Sequence, residues 1–213
     1  MKPIGELNNI HAGHDIYVVA SGASADFIDQ SFFDNKIAIG VNEVWKRFHN
    51  LDYVVRKESR LMDEAISASR QFGFKTIASA HNCGTLKYVK NDGADYVFEH
   101  LDNALEIIDL SVIGTDKIVV SYSTITSAIH VAAYMGAANI ILVGHDCGTL
   151  DGKTNIAGYA ESIAGAQFYR KFLTVIEPQT LALRAKLKEV YGCNLYSLNP
   201  FVNFGLEGHE YER

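Results

Sequence analysis

Short apolar runs rich in Val and Ile recur along the chain, separated by polar or amphipathic stretches. They are DIYVVA (15–20), KIAIGV (36–41), LDYVV (51–55), KTIASA (75–80), KIVVS (117–121), NIILVG (139–144) and NLYSL (194–198). Runs this short and this continuous predict strands buried on both faces. Between them, 60–70 and 126–135 read as helices, and 178–191 carries Leu183, Leu187, Val190 and Tyr191 on one stripe. Strand alternating with helix predicts an α/β fold: a Rossmann-like, mainly parallel sheet with helices on both faces and right-handed crossovers. The least regular stretch, 82–114, holds either an extra strand in DYVFEH (95–100) with a helix, or part of a lid.

No repeat of fixed period and no Pro/Gly/Ser linker divides the 213 residues, so a single Rossmann-like domain over 1–213 is expected, with a small lid within 82–114 or 147–175. The net charge of −6, with no basic run, argues against nucleic acid as a partner. Cys83, Cys147 and Cys193 are odd in number and widely spaced, which fits neither a disulfide framework nor a zinc site and suits a reducing cytoplasm. The N-terminal stretch lacks an apolar signal core, and no run reaches the roughly 20 apolar residues that span a bilayer. The aromatic stretch NPFVNFG (199–205) would cover either the core edge or a second copy in a homo-oligomer.

Open parallel sheets bind ligands beyond the carboxyl ends of their strands, where helix N-termini and loop amides converge. Four predicted strand ends carry polar groups. Ser21, Gly22 and Ser24 follow the first: a glycine turn with free amides and hydroxyls cradles a phosphate, or Ser24 simply caps a helix. The turn is neither G-x-G-x-x-G nor a Walker A loop. Asn42 follows the second, where its amide suits a base edge or sugar hydroxyl, or caps a helix from Glu43. Ser121, Ser123, Thr124, Thr126 and Ser127 place five hydroxyls within seven residues at a strand-to-helix junction, an anion site or a capping cluster. The fourth end is GHDCGTLDGKTNIAGY (144–159). There Gly144 and Asp146 follow a buried strand, Asp146 suits a ribose hydroxyl pair, Lys153 suits a phosphate, and Asp151-Gly152 reads as a turn.

Two histidines are candidate acid–base groups because both end strands: His145, which otherwise packs under its loop, and His81, which otherwise is a loop residue. His130, one turn into a helix, reads as packed, and Cys147 as a small packing residue without a basic partner. Tyr159, Phe168 and Tyr169 stack on a base, close a lid, or pack in the core.

These stretches, in this order, resemble the motility accessory factor family, which includes flagellin glycosyltransferases that use nonulosonic acids. The family shows G-x-D followed by D-G-K-T-H-x-x-G; Gly144, Asp146, Asp151, Gly152, Lys153, Thr154 and Gly158 match it, and Asn155 replaces the histidine. The domain is also similar to archaeal 6-hydroxymethyl-dihydropterin diphosphokinases and, more distantly, to bacterial sialyltransferases that use CMP-sialic acid. In the latter, Gly22 and Ser24, Asn42, Thr126 and Ser127, and Gly144 with Asp146 match the nucleotide-surrounding motifs. Two departures stand out. The stretch LTVIEPQTLAL (173–183) has no histidine where the sialyltransferases carry their general base, and YVVRKES (53–59) lacks the aspartate usual in the motility family, leaving Glu58 as its nearest substitute.

The resemblance implies nucleotide-dependent group transfer, foremost glycosyl transfer from a nucleotide-activated sugar to a carbohydrate or other hydroxyl acceptor. Ser21, Gly22, Ser24, Asn42, Thr126, Ser127, Gly144 and Asp146 would hold the nucleotide; Asp151, Lys153 and Thr154 would meet substrate; His145 or His81 would serve catalysis. The alternatives are an ATP-dependent diphosphokinase of the pterin type, the one reading that brings in magnesium as a cofactor, held by carboxylates such as Asp146, Asp151 or Glu58, and a nucleotide-binding module without chemistry.

Overall fold

The computed structural model describes residues 1–57, 62–81, 93–102, 110, 115–121, 123–148, 150, 153–159 and 165–198, of which 102 and 165–174 are described by backbone alone. Its nine strands are β1 (Lys2–Pro3), β2 (Asp15–Val19), β3 (Ile37–Val41), β4 (Tyr53–Arg56), β5 (Lys75–Ser79), β6 (Tyr96–Asp102), β7 (Lys117–Val120), β8 (Asn139–Val143) and β9 (Asn194–Ser197). They form one sheet in the order β1-β6-β5-β4-β3-β2-β8-β9, with β7 also beside β6. Every pairing among them is parallel. The α/β, Rossmann-like expectation holds, and DYVFEH is the strand β6.

The strands lie between two apolar layers, which is why their sequences run apolar without a break. On one face Ile16, Val18, Ile39, Val55, Ile140 and Leu142 pack in one cluster; on the other Tyr17, Val19, Ala38, Val54, Ile141 and Val143 pack in a second. Complete burial of each such side chain contributes about 1.5–3 kcal/mol.

Helix α2 (Thr124–Tyr134) covers the first face and is buried on all sides. Ser123 caps it by accepting from the Ile125 amide, and Gly136, at φ +89°, follows its end in the left-handed conformation that glycine adopts without strain. Helix α3 (Gly165–Tyr191) packs on α2 with Ile176, Leu183 and Leu187. It begins well before the expected start at Pro178. That proline is exposed inside the helix, between the buried Ile176 and the buried Gln179 and Thr180, so the buried stripe runs past the ring and holds the helix together.

The second face differs from the expectation of α-helical crossovers. Helix α1 (Met62–Phe72) covers only the β5 side, through Met62 and Ile66 against Ala78 and Ala94. Over β2 and β3 lie three 3₁₀ turns at Ala23–Phe27, Gln30–Phe33 and Val44–Lys46, which anchor Ala25, Phe33 and Val44. Among the described residues no helix is long and apolar enough to cross a membrane.

Successive strands β2 to β6 build the sheet in one direction, and β8 returns to the other side of β2. The segments leaving β2 and β8 therefore meet at the topological switch point, the place at which such sheets bind ligands.

Candidate active site at the switch point

The turn after β2 and the loop after β8 approach each other at backbone contact. The Gly22 amide donates to the Gly144 carbonyl at 2.7 Å, and a Cβ at Gly22 would stand 2.3 Å from that oxygen and 2.6 Å from Asp146 Cγ. Gly22 itself has φ −62°, so the close approach, and not its backbone conformation, demands glycine. Gly144 is the reverse case, with φ +66° and the Ala20 carbonyl 2.7 Å from a built Cβ.

Asp146 joins the two segments. Its Oδ2 accepts from the Ser24 amide at 2.8 Å and its Oδ1 accepts from the Ser24 hydroxyl. Both residues are buried. Burial raises the Asp146 carboxyl above its ordinary value, and the two bonds from Ser24 pull it partly back. Ser24 therefore serves neither as an α-helix cap nor as a free hydroxyl: it positions Asp146.

His145 and Asp146 point to different sides of the loop, as neighbours on an extended end do. His145 is buried against α3, with Nε2 2.7 Å from the Thr180 hydroxyl and 3.5 Å from Cys147 Sγ. The Thr180 hydroxyl donates to the Ile176 carbonyl at 3.1 Å, so its oxygen accepts from His145 and the neutral imidazole carries its proton on Nε2. Burial pushes this histidine down to about 4. Cys147, at φ +50°, has its thiol pushed up to about 12, by burial first and then by the charges of Glu177 and Asp146, which suits packing and not nucleophilic attack.

The hydroxyl cluster after β7 bonds largely within the protein. Ser127 donates to the Val119 carbonyl at 2.7 Å; Ser121 is hydrogen bonded to the Thr126 hydroxyl at 2.9 Å and to the Gln179 side-chain carbonyl at 3.1 Å. The segment without a histidine thus brings Gln179 and Thr180 to this rim. His130 is packed as expected: its Nδ1 accepts from the Val119 amide at 2.9 Å, its Nε2 lies 2.8 Å from the Tyr191 hydroxyl, and burial lowers it to about 3.

His81 lies further along the same rim, at the end of β5. Its Nδ1 accepts from the His100 amide at 3.4 Å, its ring lies 4.9 Å from that of His100, and Ser79 bonds to the His81 backbone and to His100 Nε2. With Nδ1 accepting, neutral His81 presents a proton on Nε2 and is a donor.

The segment 153–159 folds back over the β2 turn. The Ile156 amide donates to the Ser21 carbonyl at 2.8 Å, the Ser21 hydroxyl to Asn155 Oδ1 at 3.1 Å, and the Ala157 amide to the Asp26 carboxylate at 3.1 Å. Leu150 and Lys153 exchange backbone hydrogen bonds of 2.9 Å, Lys153 is exposed, and the Thr154 hydroxyl accepts from Asn155. Tyr159 packs onto the second apolar layer. Burial raises its phenol; hydrogen bonds with Ser21 and Asn42 and the charge of Arg56 oppose that, while Glu43 adds to it. Asn42 is not a helix cap: Glu43 holds that place, and Asn42 takes the left-handed conformation at φ 56°.

Two cations at this rim carry no motif of their own. Arg56 and Lys57 are each 5% exposed at the end of β4, and Lys57 Nζ donates to the Ser121 carbonyl at 2.7 Å. Their signal in the sequence is Arg-Lys directly after a buried strand. The carboxyl ends of β2, β3, β4 and β8 thus carry Ser21, Gly22, Ser24, Asn42, Gly144 and Asp146 on one rim with these cations, Thr126 meets Ser121 after β7, and Ser127 is turned into the core, whereas a shallow groove lined by Asp34, Lys36, Asn50 and Asp52 sits at the opposite rim. Asp151, Glu58, NPFVNFG and most of 82–114 outside β6 lie outside the described residues, as do the side chains of Phe168 and Tyr169. No group of three His, Cys, Asp or Glu side chains able to hold a metal ion occurs among the described residues.

No protein-family model and no curated protein matches the chain. Among solved structures, the fold is similar to that of the MAf glycosyltransferase from Magnetospirillum magneticum AMB-1, with TM-score 0.53 and 13% identity over 97% of this chain and 36% of that one. The chain spans about a third of that protein's length, and at this identity the likeness is one of fold.

Proposed function

We propose that the switch point binds a nucleotide and that the protein acts in nucleotide-dependent group transfer, foremost glycosyl transfer from a nucleotide-activated sugar to a carbohydrate or other hydroxyl acceptor. The observation that carries this reading is the meeting of the Ser21–Ser24 turn with the Gly144–Asp146 loop where the strand order reverses. The glycosyltransferase fold that the chain resembles supports the reaction class. In this reading the amides of the β2 turn face the phosphate, Asn42 meets the base or sugar, and Asp146, held ready by Ser24, accepts from ribose hydroxyls.

Thermal unfolding with millimolar CMP, CDP, UDP and ADP tests the site: a ligand at a hundred times its Kd adds about 2.7 kcal/mol of stability. No stabilisation by any of them would end the nucleotide reading. A second reading, binding without turnover, draws on one observation: His145 and His81 both use ring nitrogens in internal bonds. Nucleotide release from CMP- and UDP-activated sugars, with and without a hydroxyl acceptor, separates the two.

A further inference from the structure

We propose that Asp26 is a positioning residue for the cleft: its carboxylate clasps residues 155–157 onto the β2 turn and through them fixes Ser21, one of the groups that would hold the nucleotide. The role in binding rests on the nucleotide reading above, whereas the clasp stands on geometry alone.

The stretch from Ser21 to Asp26 is gripped twice. Gly144 and Asp146 hold Gly22 and Ser24, and residues 155–157 hold Ser21 and Asp26. In the second grip the Ile156 amide donates to the Ser21 carbonyl at 2.8 Å and the Ser21 hydroxyl donates to Asn155 Oδ1 at 3.1 Å. The Ala157 amide lies 3.1 Å from each oxygen of the Asp26 carboxylate. Between these polar ties Ile156, 3% exposed, is a peg in the second apolar layer with Val19 and Ala25.

The turn at 156–159 needs an acceptor from outside itself. The Tyr159 amide donates to the Ile156 carbonyl at 3.2 Å, and Gly158, at φ +80°, stands at the third position, where glycine supplies the positive φ of a tight turn. That closing bond leaves the Ala157 amide to find a partner elsewhere, and Asp26 provides it from 131 residues away. An ionised acceptor makes the stronger kind of hydrogen bond. The tie is also at the surface, unlike the buried Ser24–Asp146 pair, so it is the point at which residues 155–157 can be released while the other grip stays shut. Release lets Ser21 move with the segment that it bonds to, and local opening of this kind registers in amide exchange.

The test pairs amide hydrogen exchange of the full chain, read residue by residue by NMR without ligand, with calorimetric titration of CMP, CDP, UDP and ADP. Asp26→Ala should cut protection at both Ile156 and Ala157 by about tenfold, leave the β2 and β8 amides as they were, and weaken the nucleotide that wild type binds by about fivefold or more. Asp26→Asn keeps a neutral acceptor and should restore affinity to within about twofold, and Asp29→Ala, which removes the same charge from an exposed neighbour, should change neither readout. Where Asp26→Ala fails to fold, Asp26→Glu, which keeps the charge but misplaces the acceptor, decides by the same two readouts. Protection lost at Ala157 alone, or at both amides with affinity unchanged, overturns the positioning role and leaves the nucleotide site standing. Wild-type protein that binds none of the four nucleotides ends the nucleotide reading and the role in binding with it, while coupled loss of protection still upholds the clasp.

Discussion

Ser24 and Asp146, 122 residues apart in the chain, are joined by two hydrogen bonds, the Ser24 amide and hydroxyl each meeting one oxygen of the same carboxylate. That pairing locks the loops of β2 and β8 across the switch point, so substitutions there act on stability and on ligand binding together.

Asp146→Ala removes a charged acceptor and leaves the buried Ser24 amide and hydroxyl without it, for a loss of about 2–3 kcal/mol in urea unfolding. Nucleotide affinity should fall with it. The pH dependence carries a sign. Because the folded carboxyl is raised above its ordinary 3.8, the native state holds the proton more tightly, and Asp146 favours the fold below 3.8 and loses that contribution as pH rises through the folded value. Asp146→Asn should lack this decline when stability is followed upward from pH 3.5.

Gly22→Ala forces a Cβ to within 2.3 Å of a backbone carbonyl that a tightly packed strand end holds in place. About 3 kcal/mol of destabilisation, or failure to fold, is expected. Among the described residues the nearest atom to a Cβ built at Gly148 is 3.7 Å away, so Gly148→Ala is the matched control and should stay within about 0.5 kcal/mol by the same denaturant measurement.

Burial lowers His145 from 6.5 to about 4 and His130 to about 3. A lowered base binds its proton in the unfolded chain first, so both contribute stability that is complete above pH 6.5 and is lost as pH falls toward the folded values. For His145 the loss is on the order of 3 kcal/mol. His130→Asn should flatten the acid limb of the Tm-against-pH curve between pH 6.5 and 4, although it lowers Tm at pH 7.

Ser127 uses its hydroxyl on the Val119 carbonyl, at a position with no exposure. Ser127→Ala should cost about 1 kcal/mol, which is about 2–4 °C in Tm for a chain of this size, and leave nucleotide affinity unchanged. Loss of affinity out of proportion to the loss in Tm would make Ser127 a ligand contact.

Much of the fold was legible because a parallel sheet buried on both faces needs uninterrupted Val/Ile runs, and those runs stand out between polar segments. β1 was not: Lys2 and Pro3 are exposed, and their pairing with β6 depends on Ile4 and Leu7 docking behind them. The 3₁₀ turns over β2 and β3 carry too few residues to show a helical period. At the site, sequence patterns located the strand ends but not the partners across them. That Asp146 faces Ser24, that His145 faces Thr180 and that Asn155 meets Ser21 depend on contacts between distant segments, to which local pattern is blind.

β2 lies near the middle of the sheet, yet its neighbour β8 begins 124 residues later, Asp15 standing beside Asn139. During synthesis the first half of the chain can assemble β2 to β5 while one edge of β2 stays unprotected, awaiting a partner not yet made. The cleft is therefore among the last features to take shape. A nascent chain halted before residue 139 would be sticky and incapable of holding ligand, and chaperone dependence should concentrate in that interval.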